Sequence, residues 1–202
     1  MTGLLVKIKH AFPGLWRMVE WGNGQLTALR YPRLKEIAER ECAKVSGEEL
    51  TWSLVTPDDV PALTRFLNGI PEERLGYFAP HPFDEATLRR MAKGSSFVML
   101  KVTTPTGIAG YHFLRCFFIG RAFHGLIVDH RYGGKGIGST MWRLGANIAR
   151  QSGMEMYATI SKDNLPSLNS CRRGCETQVT EQLAEGYLLL KLRPKEAESV
   201  KK

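Results

Sequence analysis

The chain has 202 residues, of which 43% are hydrophobic and 24% are charged. These fractions are typical of an ordinary globular protein and argue against a disordered or fibrous chain. The length suits one domain with a sizeable core plus an extension. The net charge of +8 suits a polyanionic partner, but the basic residues are scattered along the chain. A small ligand that carries phosphate therefore accounts for the charge as well as nucleic acid does.

No apolar run approaches the length of a membrane span, and the N-terminus lacks the hydrophobic region of a signal peptide. A cytoplasmic location is therefore expected. The four cysteines show no paired spacing with histidines of the kind that zinc sites use. We therefore expect free thiols in a reducing compartment and no metal site.

Residues 1–46 are predicted to form a helical N-terminal extension. A break is predicted at Pro13-Gly14 and a turn at Gly22-Asn23-Gly24, and a second helix is predicted from Pro32 to about Ser46. Basic residues interrupt an apolar stripe in the first helix, and such a segment either touches a membrane surface or packs against protein. Packing against the domain or a second subunit is favoured, because most apolar stripes are buried. The stripe comprises Leu4, Ile8, Ala11, Phe12, Leu15 and Val19.

Residues 47–195 are predicted to form the main domain, and residues 196–202 a charged tail. The predicted strands are 51–55, 96–103, 108–119, 122–128, 155–160 and 187–192. Helices are predicted after Thr56, after Asp84, over residues 136–152 and over residues 163–173. Short links join the second, third and fourth strands, which indicates antiparallel hairpins. The order predicts a mixed α/β fold in which an antiparallel meander leads into a βαβ crossover.

Four glycines lie within six residues where the fourth predicted strand gives way to a helix. Gly133, Gly134, Gly136 and Gly138 leave backbone N–H groups uncovered beside the positive end of that helix. Such a turn is typical of phosphate sites. It is not a Walker loop, because no Gly-Lys-Ser/Thr follows at the required distance, and the glycine spacing is wrong for a dinucleotide fingerprint.

Two motifs give residues 50–193 a resemblance to the GNAT acyltransferase superfamily. Val128-Asp129-His130 and Gly133 to Gly138 stand where that family has V-x-P and R/Q-G-x-G-I/L-G/A, and Asn164-Leu165-Pro166-Ser167 matches its N-x-x-A/S block. The resemblance implies a twisted, mostly antiparallel sheet with flanking helices. It also implies an acetyl-CoA-dependent N-acyltransferase in which a primary amine attacks the acyl group directly in a ternary complex.

The resemblance also implies residues for binding acetyl-CoA. The glycine loop would hold the pyrophosphate, the backbone of Leu126, Ile127 and Val128 would pair with pantetheine and polarise the thioester carbonyl, and Asn164 and Ser167 would contact the pantetheine arm. Gly133 stands where the family has Arg or Gln, and Arg131 or Lys135 is the candidate replacement. The loop residues are Gly133, Gly134, Lys135, Gly136, Ile137, Gly138 and Ser139.

His124 is the preferred general base, because a histidine titrates in the useful range and His124 shares a strand face with Leu126 and Val128. His112 and Asp129 are weaker alternatives, and a purely structural, hydrogen-bonded His124 stays open. Cys171 stands where the family often has a tyrosine that protonates the leaving thiolate. It is therefore the candidate general acid.

The acceptor is expected to be a small-molecule amine, with a protein amino group as an alternative. By resemblance, the loop over residues 70–83 lines the acceptor side. Its aromatic residues Tyr77, Phe78, His81 and Phe83 either stack on the acceptor or close the core, and closing the core is favoured for Phe78.

Rival functions remain at this stage. Gly133 and the missing tyrosine favour a non-catalytic acyl-CoA sensor, and the basic N-terminal segment favours a module that binds nucleic acid or a membrane surface. The main interpretation expects no nucleic-acid partner and no stable membrane insertion, and it leaves a homodimer open.

Overall fold

The structure, a computed structural model, describes residues 13–78 and 80–195. Its helices are α1 (Pro13–Arg30), α2 (Leu34–Val45), α3 (Val60–Asn68), α4 (Glu72–Leu75), α5 (Glu85–Lys93), α6 (Ile137–Gln151) and α7 (Leu165–Gly174). Its strands are β1 (Thr51–Leu54), β2 (Phe97–Thr104), β3 (Gly107–Phe117), β4 (Arg121–Val128), β5 (Glu155–Ser161), β6 (Cys175–Gln182) and β7 (Tyr187–Pro194). Short 3-10 turns lie at Pro57–Asp59, His130–Tyr132 and Ala184–Gly186.

The seven strands form one sheet in the order β1-β2-β3-β4-β5-β7-β6. Neighbouring strands are antiparallel except β4 and β5, which are parallel and are connected through α6. The short turns that follow β2 and β3 produce the antiparallel meander, and the parallel pair needs the longer helical crossover. The predicted mixed α/β class with a mostly antiparallel sheet and N-terminal helices is confirmed.

Each face of the sheet has its own core. Leu34 and Ile37 of α2, Trp142 of α6 and Leu168 of α7 cover one face. Helices α3 and α5 cover the other face around Tyr111 and Phe113, with Leu63, Leu67 and Leu88 fully buried. Side chains alternate along β4, so that Leu126 and Val128 pack on the first core and Ile127 on the second.

The turn predicted at Gly22-Asn23-Gly24 is wrong, because α1 runs through it without a break. The Asn23 amide donates to the carbonyl of Cys116 at 3.0 Å and accepts from the amide of Phe118 at 3.2 Å. These contacts with β3 and the turn after it override the low helix propensity of the three residues. The part of the predicted first helix that precedes Pro13 lies outside the described residues.

Strand β6 is not predicted from the sequence pattern. Its eight residues carry one large apolar side chain, Val179, and most of the strand is exposed. A strand at the edge of a sheet has one neighbour, here β7, and needs no continuous apolar face. Hydrophobic alternation, the signal used for strands, is therefore absent from it. Within the described residues, no helix is both long enough and apolar enough to cross a bilayer.

Candidate active site

A cleft opens in the sheet where β4 and β5 separate. The two strands pair over three positions, from Arg121 opposite Glu155 to Phe123 opposite Tyr157. Beyond Phe123, the rest of β4 from Gly125 to Val128 forms one wall, and Thr159 to Ser161 of β5 forms part of the other. The cleft has a volume of about 530 Å³. Because no β5 residue pairs with this stretch of β4, its backbone is open on that side to an extended ligand, while the Val128 carbonyl accepts from Arg74 Nη2 at 3.4 Å.

The glycine loop lies at one end of the cleft and leads into α6. Gly134 and Gly136 have φ angles of +76° and +80°, a left-handed conformation that favours glycine. Gly136 caps α6, and Thr140 is the first residue whose amide bonds back along the helix, to Gly136 O at 3.0 Å. The amides of Ile137, Gly138 and Ser139 therefore have no acceptor one turn earlier, and they form the positive end of the helix dipole.

Helix α7 packs closely against the first turn of α6. A Cβ atom on Gly174 would lie 2.3 Å from the carbonyl oxygen of Ser139, so this approach requires glycine. The Trp142 indole donates to Ser170 Oγ at 3.1 Å and links the two helices. This packing places α7 beside the glycine loop.

The Asn164 block also lies in the cleft wall. The side chain of Asn164 caps α7 by accepting from the Ser167 amide at 3.1 Å, and both residues line the cleft. The structure therefore brings together three stretches that the sequence motifs singled out separately: the end of β4, the glycine loop and the start of α7.

Arg173 is a cleft residue that the motifs did not indicate. Its guanidinium Nε donates to Ser139 Oγ at 3.3 Å, beside the glycine loop. Helical spacing from Ser167 through Ser170 to Arg173 was the available signal, since residues three apart share a helix face. The candidate replacements for the family's Arg or Gln are engaged elsewhere: Arg131 with Asp129 at 2.6 Å, and Lys135 over the Tyr132 ring at 5.3 Å.

His124 is buried at the inner wall of the cleft. Its Nε2 lies 3.0 Å from Nδ1 of His112, and its ring centroid is 4.6 Å from that of Trp142. Gly145 makes room for the ring, because a Cβ atom there would lie 2.7 Å from it. Burial lowers the pKa of His124 to about 3. The imidazole is therefore neutral at pH 7 and only weakly basic, which weighs against the general base role; that role stays a prediction.

The surroundings of the other candidate acid–base groups also weigh against a catalytic role for them. His112 is fully buried, and burial together with the neighbouring His124 holds its pKa well below the usual value. The bonds from Arg131 lower the pKa of Asp129. Cys171 is fully buried in the first core and is not part of the cleft wall, and burial raises the pKa of its thiol. Its role as general acid stays a prediction, against which this burial weighs.

The aromatic loop divides into two parts. Phe78 is buried, and its ring centroid lies 6.2 Å from that of Phe83. His81 bonds the Tyr111 hydroxyl at 3.1 Å, so these side chains close the second core. Tyr77 is half exposed and lines the cleft together with Glu73 and Arg74.

A sequence model of the family described as "Acetyltransferase (GNAT) family" matches residues 60–175. This span contains the glycine loop, both cleft strands and the Asn164 block, and it covers more than half of the chain. The chain belongs to the GNAT acetyltransferase family. The prediction of an N-acetyltransferase of this family is therefore confirmed.

Solved GNAT structures share the fold at low sequence identity. The GNAT domain of PAT from S. lividans has 18% identity and a TM-score of 0.59, over 69% of this chain and 88% of that one. Aminoglycoside acetyltransferase AAC(6')-Ib, in complex with coenzyme A and kanamycin, has 16% identity and a TM-score of 0.56, over 72% of this chain and 95% of that one. An acetyltransferase from Salmonella typhimurium that modifies the N-terminal serine of ribosomal protein L7/L12 has 16% identity and a TM-score of 0.60, over 74% of this chain and 97% of that one. No curated protein sequence matches the chain.

The GNAT match leaves α1 and α2 outside its span. Helix α2 nevertheless contributes Leu34, Ile37, Ala38 and Cys42 to the first core. The division predicted between residues 46 and 47 stays a prediction, as do the cytoplasmic location and a reaction that needs no metal. Among the residues that the structure describes, no cluster of three His, Cys, Asp or Glu side chains is placed to hold a metal ion.

Proposed function

We propose that this GNAT protein transfers the acetyl group of acetyl-CoA to a primary amine of a small molecule, by direct attack in a ternary complex. One observation carries the proposal: the glycine loop at the start of α6 opens into the same cleft as the unpaired end of β4. An anion site and a free strand edge in one cleft suit a ligand that has a pyrophosphate and an extended amide-containing arm.

The described residues fit acetyl-CoA at three places. The amides from Gly134 to Ser139 would hold the pyrophosphate, since the Gly133 amide donates to His130 O, with Arg173 as the cation that the Gly133 position lacks. The backbone of Leu126, Ile127 and Val128 would pair with the arm along the open edge of β4. Asn164 and Ser167 would face the arm from α7.

Bound acetyl-CoA supplies an activated acyl group, and the chain orients the two reactants. A backbone N–H at the end of β4, aimed at the carbonyl oxygen, would stabilise the charge that develops there by roughly 3 kcal/mol, as such donors typically do. The attacking amine must lose a proton. Because Nε2 of His124 faces His112 and its Nδ1 is buried, the proton would pass to water in the cleft rather than to His124.

A cationic acceptor is supported by the acidic side chains in the cleft wall. Glu73 lies near the exposed Tyr77 on one side, and Asp163 lies on the other. Glu73 and Asp163 would attract an ammonium group before it is deprotonated, although Arg74 and Arg173 line the same cleft.

The test combines calorimetry with a thiol-release assay. Acetyl-CoA should bind, and free thiol should appear with at least one amine from a panel of aminoglycosides, amino sugars, polyamines and peptides with free N-termini. Turnover with peptides alone would assign the protein acceptor instead. Binding without turnover would favour the acyl-CoA sensor, and no binding would refute the proposal.

A matched pair of variants makes the binding test specific. Gly136 and Gly153 both have positive φ, +80° and +74°, and a Cβ atom at either meets nothing within 4 Å. Gly136 starts α6 in the cleft, whereas Gly153 follows the other end of that helix. Alanine at either position strains the backbone similarly, so only Gly136→Ala should weaken acetyl-CoA binding.

A further inference from the structure

Helix α1 packs against the domain through its polar side. Glu20 pairs with Arg115 at 3.1 Å, and Asn23 bonds the backbone of Cys116 and Phe118. Thr27, one turn further along the same side, is fully buried. A surface helix normally buries its apolar stripe and exposes its polar side. Helix α1 does the reverse.

The apolar side of α1 faces solvent and continues onto the turn between β3 and β4. Exposure of its large side chains ranges from 47% for Leu26 to 81% for Leu29, and Trp21 is 67% exposed. We call this the α1 apolar surface; it comprises Met18, Val19, Trp21, Leu26, Leu29, Phe118 and Ile119. It holds seven of the ten large apolar side chains that are exposed in the described part of the chain. A cluster of this kind marks a site of interaction.

An apolar groove adjoins this surface. It has a volume of about 310 Å³ and lies between α1 and the strands β2 and β3. Val19, Leu26, Phe97 and Phe117 are among its walls. The α1 apolar surface is therefore a contoured face into which an apolar chain can fit.

The sequence of the N-terminal segment is rich in positive charge. Residues 1–30 contain four basic side chains, Lys7, Lys9, Arg17 and Arg30, and one acidic side chain, Glu20, which pairs with Arg115. Arg33 and Arg121, which follow α1 and the β3–β4 turn, are exposed, and Arg33 pairs with Glu36 at 2.9 Å. The occupant of the surface must therefore be apolar and must tolerate or attract positive charge.

We propose that the α1 apolar surface docks on a membrane surface rich in anionic lipid, with α1 lying in the plane of the interface. Tryptophan and aliphatic side chains on one side, with basic residues around them, are the features of interfacial helices. Each basic residue near an anionic leaflet adds to the attraction. A second copy of the chain explains the charge less well, because a symmetric interface would bring two basic segments together.

Docking of this kind leaves the cleft free. The β3–β4 turn, with Phe118 and Ile119, precedes β4, whereas the cleft wall on that strand begins at His124. The chain from Ile119 to His124 separates the two features by roughly 17 Å. The docked protein would therefore face water with its acetyl-CoA site, and no membrane-spanning segment is required.

Sedimentation with vesicles tests the proposal on the full-length chain. Binding is expected to vesicles of phosphatidylcholine and phosphatidylserine, and at least about tenfold less to phosphatidylcholine alone. Trp21→Glu should weaken binding at least about tenfold, because a large apolar anchor becomes charged. Val179→Glu is the matched control: it adds the same charge at a 52% exposed position on β6 and should bind like the wild type.

Light scattering and acetyl-CoA calorimetry separate the alternatives. The proposal is overturned if vesicles do not bind, or if Trp21→Glu binds like Val179→Glu. A dimer in solution that Trp21→Glu converts to monomers would assign the surface to a second copy. Unchanged acetyl-CoA affinity in both variants is expected, so a failure of membrane docking is distinguishable from a failure of the proposed enzymatic function.

Discussion

The buried histidine pair predicts an acid-sensitive fold. His112 and His124 lie between the sheet and α6, with Nδ1 and Nε2 3.0 Å apart. Their other ring nitrogens are buried and find no hydrogen-bond partner among the described residues. The hydrogen bond between the two neutral rings satisfies one nitrogen of each ring. Protonation of either ring would place an uncompensated charge in the core.

The sign and size of the effect follow from the depressed pKa. The folded-state pKa of His124 is about 3. Since an unfolded histidine titrates near 6.5, the unfolded chain binds the proton first. The stability contributed by neutral His124 is therefore complete above about pH 6.5 and is lost as the pH falls toward 3. Between pH 7 and pH 5, His124 alone should cost about 2 kcal/mol of unfolding free energy. His112 acts in the same direction.

Urea unfolding at pH 7 and pH 5 measures this loss. The double variant His112→Leu/His124→Leu replaces both partners by apolar groups, which leaves no unpaired partner in the core. Between pH 7 and pH 5, the drop in unfolding free energy should be smaller in the double variant than in the wild type, by at least about 2 kcal/mol. Equal pH dependence in the wild type and the double variant would refute the reasoning.

Three further predictions concern the cleft. Gly136→Ala and Gly153→Ala should each lower the unfolding free energy by about 1 kcal/mol. Only Gly136→Ala should also weaken acetyl-CoA binding, by about tenfold. Equal acetyl-CoA affinities of the two variants would mean that the loop does not hold the anion. Arg173→Ala should weaken acetyl-CoA binding about three- to tenfold in calorimetry at low salt. Arg172 lies outside the cleft wall, so Arg172→Ala should bind acetyl-CoA like the wild type. Equal affinities of the two variants would remove Arg173 from the site. Asn164→Ala should cost about 1 kcal/mol in thermal unfolding because the α7 cap is lost, and Asn164→Asp should keep the cap. If Asn164→Asp also keeps full acetyl-CoA affinity, the amide of Asn164 does not contact the ligand.

The catalytic role of His124 requires its own comparison. A general base role requires His124→Gln to lower turnover while acetyl-CoA affinity and stability stay near the wild type. The buried geometry favours the opposite order, in which stability falls first because His112 loses its hydrogen-bond partner. Turnover, calorimetry and thermal unfolding on the same variant distinguish the two.

Local chemistry made much of the site predictable from the sequence. The glycine loop, the meander and the caps at Thr56 and Asp84 each depend on neighbours a few residues away in the chain. Hydrophobic spacing also indicates which side of a helix is buried, and Val60, Leu63 and Leu67 of α3 are all fully buried as their spacing requires. The acyl-CoA motif was therefore visible before any fold was known.

The tertiary structure alone decided what happens to individual side chains within that frame. His124 lies on the expected strand face, but its low pKa arises from burial, to which the Trp142 ring 4.6 Å away contributes cover. Arg173 reaches the glycine loop only because Gly174 lets α7 approach α6. Such contacts join residues distant in sequence, and burial and pKa depend on those residues rather than on local pattern.

The N-terminal helix shows the same division. The sequence predicts that an apolar stripe from Leu4 to Val19 packs against protein, and most of that stripe lies outside the residues whose side chains the structure describes. Which side meets the domain was decided by Asn23 and Glu20, whose contacts with β3 turned the apolar side outward, and Thr27 on the same side is buried. Periodicity specifies that a helix has two different sides, and only the partners it meets in the folded chain determine which side is buried.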